Sequence, residues 1–162
     1  MVISLESVRA RMQSLGFRVF EGEHDLNLFG CRRLPGTPNA FDDVGGAFFL
    51  HRGVWQFRTW PITMDPGAPS LTAGTRKRAD GTAIMVHDRQ FRSCWKIGEH
   101  HVGQPGAYPA LVQAGSDVFE VWRDRDDDGR PTYGGPILHN VTGLNYHRAG
   151  KASTVVGGWS EA

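Results

Sequence analysis

Apolar residues near the N-terminus recur at helical spacing. Leu5, Val8, Met12 and Leu15 fall near a 3.6-residue period, Ser4 precedes them as an N-cap and Gly16 follows as a stop. The pattern predicts one short helix, to which Ser7 adds little. Beyond Gly16 the period shortens to two. Phe17–Phe20 and Asp25–Cys31 are short alternating runs separated by Glu21, Gly22 and Glu23, and they read as a hairpin or adjacent strands. Ala47–Leu50 and Val54–Trp60 flank His51, Arg52 and Gly53 as a second hairpin. Further strands are expected at Ala83–Val86, Trp95–Ile97, Ala110–Gln113 and Val118–Trp122. No repeat and no low-complexity linker divides the chain.

The connecting segments carry turn chemistry. Arg32–Asp43 holds Pro35, Gly36, Pro38 and Asn39, while Asp65–Thr82, with two prolines and three glycines, is the longest irregular stretch and a candidate site-lining loop. At 162 residues and 40% hydrophobic, the chain has material for one core, so a single domain is expected. Twenty-one glycines, nine prolines, five tryptophans and nine phenylalanines suit strands joined by tight turns. The expected fold class is mainly β, a β-rich α+β domain built as a small mixed barrel or sandwich with one short N-terminal helix.

Charge narrows the partners. Eighteen basic against seventeen acidic residues leave a net +1, with no footprint for neutralising a phosphate backbone, so nucleic acid is not expected. The run Arg76, Lys77, Arg78 reads as a solvated loop. Glu6, Arg9, Arg11 and Gln13 interrupt the N-terminal apolar residues, so no Sec-type signal is expected, and no stretch approaches the ~20 apolar residues of a membrane span. Cys31 and Cys94 are compatible with one disulfide or with two thiols.

Three constellations carry candidate chemistry. Asp124, Asp126 and Asp128 followed by Gly129 open like a Ca²⁺ loop, to which the carbonyl of Arg130 adds a further oxygen. Gly135 stands where an EF-hand needs its bidentate glutamate, so the string reads either as a structural Ca²⁺ site or as an acidic hairpin tip offset by Arg123, Arg125 and Arg130. Asp127 would point away from such a site. Cys94 with His100 or His101 supplies the minimum for nucleophilic catalysis, yet Cys94 alternates with Trp95 on a strand and reads as structural. Adjacent His100 and His101 should face opposite sides of an extended segment, and no zinc motif, P-loop or G-x-S-x-G occurs.

The third constellation is Gly143, Leu144, Asn145, Tyr146, His147, Arg148, then Ser153 and Thr154, and finally Gly157, Gly158, Trp159 and Ser160. It resembles the phage-associated and bacterial branch of the L,D-transpeptidase-like (YkuD-like) enzymes, whose strands bear G-x-N-x-H-R-A and then W-S-x-G-C. Upstream segments at Asn39–Asp42, Thr63–Gly67, Trp95–Gly98, Tyr108–Gln113 and Val121–Asp128 extend the likeness over most of the chain. The resemblance implies acyl transfer on peptidoglycan stem peptides by a cysteine thiolate, as peptidase or transpeptidase, with no cofactor for catalysis. His147 would be the general base and Ser160 the residue shaping the turn before the nucleophile. Arg148, Tyr146 and Trp159 would bind substrate, with the guanidinium of Arg148 suited to a carboxylate. Ala162 stands where the family usually has glycine, and the nucleophilic cysteine is expected at the next position, so the domain is expected to continue past Ala162. Action at the cell wall would then follow phage lysis or a dedicated secretion route. The alternative is a non-catalytic wall-binding or virion structural module, stabilised by Ca²⁺ at the aspartate string.

Overall fold

A computed structural model of the chain describes residues 3–75, 78–139 and 141–148. The predicted helix forms as α1 (Leu5–Ser14). Ser4 Oγ accepts the Ser7 N–H at 3.2 Å while Ser7 Oγ accepts the Ser4 N–H at 3.0 Å. Ser7, which spacing gave little part, is therefore half of a capping box. Gly16 leaves the helix at φ 71°, a left-handed conformation that favours glycine. Only Val8 of α1 is buried; Arg9 lays its guanidinium 4.9 Å over the Trp55 ring, and Arg11 bonds Asp88 at 2.9 Å.

Residues 17–20 form no strand, against expectation. Side chains satisfy their backbone instead: Asn27 takes both the N–H and the C=O of Phe20 at 2.9 Å, and Gln90 takes those of Arg18 at 3.0 and 2.6 Å. With those groups already paired, no neighbouring strand is needed to bond them.

β1 (Asn27–Cys31), β2 (Asp43–His51) and β3 (Val54–Ile62) form one antiparallel sheet in that order. The β2–β3 turn is Arg52 and Gly53 at φ 52° and 73°, the paired left-handed residues of a tight hairpin turn. Two further antiparallel pairs complete the architecture. β4 (Thr82–Met85) joins β7 (Val121–Asp124), and β5 (Trp95–His100) joins β6 (Tyr108–Gln113). A 3-10 turn at Ala68–Leu71 lies in the long irregular segment. The chain is thus a β-rich α+β fold, with one α-helix and several small sheets among the described residues. Among the described residues, no helix is long and apolar enough to cross a membrane.

The core gathers where the small sheets meet. Phe119 and Val121, both inaccessible to solvent, pack with Cys94, Val141 and Leu144; Ile84, Val86 and Trp122 form a second cluster. Both cysteines are free thiols. Cys94 is buried, and burial pushes its thiol up to about 11.

A polar knot ties the two proline-rich loops to each other and to the end of β4. Arg32 and Asp65 are almost fully buried and lie 3.2 Å apart, with the Tyr133 hydroxyl donating to Asp65 at 2.8 Å. Arg32 also donates to the carbonyls of Met64 and Met85 at 3.0 and 2.8 Å. Burial pushes the Asp65 carboxyl up while Arg32 and Tyr133 pull it down, so its charge depends on both partners. A Cβ at Gly36 would fall 1.8 Å from the Asp65 carboxylate, so only glycine lets the loop close over the pair.

Candidate functional site

Residues 141–148 run as a strap along the free edge of β6. Tyr146 and Leu111 exchange backbone hydrogen bonds at 2.8 and 3.0 Å, on the side of β6 away from β5. The Gln113 side chain fixes the strap further back. Its Nε2 donates to the Val141 carbonyl at 2.7 Å and its Oε1 accepts the Leu144 N–H at 3.0 Å. Trp95 Nε1 donates to the Leu144 carbonyl at 2.8 Å, and Asn145 Oδ1 accepts the Gln113 N–H at 3.0 Å. The strap enters the core through Val141 and Leu144, so its position is set by burial as well as by hydrogen bonds.

Successive residues of an extended segment face opposite sides, and Tyr146 and His147 divide accordingly. Tyr146, expected at a substrate surface, turns inward. Its hydroxyl accepts the Trp60 indole N–H, and its ring packs edge-on against Trp60 and Trp95 at 6.5 and 5.8 Å. This bolts the β5–β6 pair to the three-stranded sheet. Gly45 makes room, since a Cβ there would lie 2.9 Å from the Tyr146 hydroxyl.

His147 faces the other way and is only partly buried. Its Nδ1 lies 2.9 Å from the Arg148 carbonyl and 3.1 Å from the Tyr108 hydroxyl. A carbonyl can only accept, so Nδ1 is the donor in that contact. The ring stacks on His100 with centroids 4.1 Å apart and an interplanar angle of 11°. His100 is itself cross-strand partner to Tyr108, and its Nδ1 lies 3.4 Å from the Asn145 amide nitrogen. Partial burial, and then the proximity of His147 and His101, push the His100 pKa down, favouring a neutral ring against His147. Arg148 is exposed, with its guanidinium 4.3 Å over the Tyr108 ring.

His100 and His101 do not face opposite sides, as alternation predicted. His101 adopts φ 60°, which ends the extended run, and the two rings lie 4.0 Å apart. Cys94 takes no part in this cluster; it packs against Phe119 in the core and its thiol contacts the Phe91 carbonyl at 3.6 Å. Ser160 and Trp159, expected beside His147, lie outside the described residues.

The aspartate string is tied to protein donors. Asp124 is buried and accepts the Thr132 N–H at 2.8 Å, and Asp126 accepts the Thr132 hydroxyl at 2.6 Å. Asp128 accepts the Arg130 N–H at 2.8 Å, a contact that leaves the Arg130 carbonyl uninvolved. Among the described residues, Asp124 and Asp126 approach each other, but the three carboxylates do not all bring ligand oxygens within 4.8 Å of one another. Burial, followed by neighbouring Asp126 and Asp128, raises the Asp124 carboxyl to about 6. The Thr132 hydroxyl holds Asp126 below its usual range.

Asn145 stands in the same motif as His147, but the sequence did not assign Tyr108, His100 or Gln113 to the His147 environment. The β5–β6 hairpin could have paired His100 with Tyr108, since both stand at its mouth. That the 141–148 strap lies beside them is a tertiary fact without local signature. Comparisons of the chain with protein-family models, with curated proteins and with solved structures return no match.

Proposed function

We propose that this chain carries the histidine side of a Cys/His acyl-transfer site acting on peptidoglycan stem peptides, as peptidase or transpeptidase, with the thiolate supplied from the position after Ala162. His147 Nε2 takes the proton of the thiol, and the thiolate attacks the carbonyl carbon of an amide next to a D-centre. Backbone N–H groups beside the thiol receive the oxyanion; its collapse expels the amine, which takes the proton held by His147, and water or an amine then attacks the thioester to release the acyl group and regenerate the thiol. Arg148 presents its planar fork to a substrate carboxylate.

One observation carries the proposal. The partly buried imidazole of His147 is held at Nδ1 by a backbone carbonyl and a tyrosine hydroxyl, and among the described residues Nε2 makes no hydrogen bond. That is what a general base requires, because the bond at one ring nitrogen sets the tautomer and aims the other. The stacked His100 and the Gln113 strap act through His147 as positioning residues.

The test uses protein extended past Ala162, incubated with purified sacculi and read by mass spectrometry of released peptides. Cleaved or exchanged stem peptides are expected, and His147→Gln should lower the rate by about 10²-fold or more, the usual scale for a lost general base. A His147→Gln protein that keeps the parent rate would remove this residue from the chemistry.

A further inference from the structure

At the end of the β2–β3 hairpin opposite Gly45 and Trp60, its tip meets the loop that precedes β1. Glu23 pairs with Leu50 in an isolated parallel bridge, and the His24 N–H donates to the Leu50 carbonyl at 2.9 Å. This brings Glu23 and His24 against His51, the last residue of β2. His24 Nε2 lies 2.8 Å from His51 Nδ1, and Glu23 Oε1 lies 3.6 and 3.7 Å from those same nitrogens. All three ligand atoms fall within 4.8 Å of one another, and all three residues are exposed.

We infer that Glu23, His24 and His51 form a binding site for a divalent transition-metal ion of the zinc type. Two imidazole nitrogens and one carboxylate oxygen are the donors such ions take, whereas Ca²⁺ and Mg²⁺ favour oxygen alone. The spacing also fits. In a tetrahedral zinc site with ligands at ~2.0–2.1 Å, neighbouring donor atoms stand ~3.3–3.4 Å apart. The contacts of 2.8, 3.6 and 3.7 Å bracket that edge, so rotation of exposed side chains by a few tenths of an ångström completes the face.

The donors are also ordered before any ion arrives. The Arg52 amide donates to Glu23 Oε1, holding that carboxylate on the hairpin tip and its pKa below the usual range. His24 is fixed in a left-handed backbone conformation at φ 65°, and its ring packs beside that of Phe49 at 6.4 Å. Without a metal, the close pair of ring nitrogens must share one proton between them. A cation that accepts both lone pairs replaces that contact and leaves a fourth position for water or a partner's ligand. The bound ion would clamp the segment before β1 to the β2–β3 turn.

Isothermal titration of the untagged protein with ZnCl₂ tests this. One ion per chain is expected, with the ring signals of His24 and His51 moving in NMR spectra and those of His139 unmoved. Both His24→Gln and His51→Gln should weaken the affinity by about tenfold or more, because each removes a ligand nitrogen. His101→Gln, a change in the other histidine cluster, should leave it unaltered. Absence of zinc binding at 1:1, or parental affinity in both His24→Gln and His51→Gln, would overturn the assignment. The outcome is independent of peptidase activity, since His147 is not among the ligands.

Discussion

Gln113→Ala should release the strap that holds His147. The amide of Gln113 makes three hydrogen bonds, donating to Val141 and Gly115 carbonyls at 2.7 and 2.5 Å and accepting the Leu144 N–H at 3.0 Å. Each is worth ~1 kcal/mol net, and a partly buried backbone group left unpaired adds to the loss, so ~2–4 kcal/mol is expected. With urea m-values of ~1–3 kcal/mol/M, the unfolding midpoint should fall by about 1 M or more. Amide hydrogen exchange gives the sharper readout. Leu144 and Tyr146, whose N–H groups bond Gln113 and Leu111, should exchange faster in the variant while β2 and β3 amides keep their protection. Gln113→Glu retains the acceptor for Leu144 but turns a carboxylate toward two carbonyls, and it should be no more stable than Gln113→Ala. A midpoint shift below about 0.2 M in Gln113→Ala, with unchanged exchange at Leu144, would show that core burial of Val141 and Leu144 alone fixes the strap.

Asp124 should make stability fall as pH rises. Its folded pKa of about 6 lies above the ordinary 3.8, so between these values the folded state holds a proton that the unfolded chain lacks. Its stabilising contribution is complete below pH ~4 and lost through pH ~6, up to about 3 kcal/mol at ~1.36 kcal/mol per pH unit. Asp124→Asn keeps an acceptor for the Thr132 N–H and should flatten this dependence in denaturation curves taken at pH 4 and 7; an unchanged slope would place the titration elsewhere. Gly46→Ala should cost ~2 kcal/mol or more by thermal denaturation, because the new Cβ would meet the Phe29 ring at 2.3 Å and the Arg58 carbonyl oxygen at 2.6 Å. The ring can move but the carbonyl belongs to the β3 backbone, so a near-neutral effect would mean that the β2–β3 ladder yields at this point.

The sequence determined what depends on neighbours along the chain. Helix α1 follows from its apolar spacing, Ser4 and Gly16, and the β2–β3 hairpin follows from alternation around Arg52–Gly53. Each signal lies within a few residues, so a local reading recovers it. Where side chains from distant segments saturate the backbone, local pattern fails, and residues 17–20 are the case: Asn27 and Gln90 replace the partner strand that alternation implied.

The candidate site divides the same way. His147 and Arg148 were legible as a motif, and so was the separate aspartate string. Which ring His147 stacks on, why Tyr146 faces inward and what fixes Nδ1 depended on the strap reaching β6, with contacts 39 and 86 residues apart for Tyr108–His147 and Trp60–Tyr146. The Glu23, His24 and His51 cluster likewise exists only because the loop before β1 lies on the β2–β3 turn. Local propensities select helix, strand and turn through short-range sterics and hydrogen bonding, whereas the meeting of ionisable side chains is decided by burial of apolar surface between segments far apart in the chain.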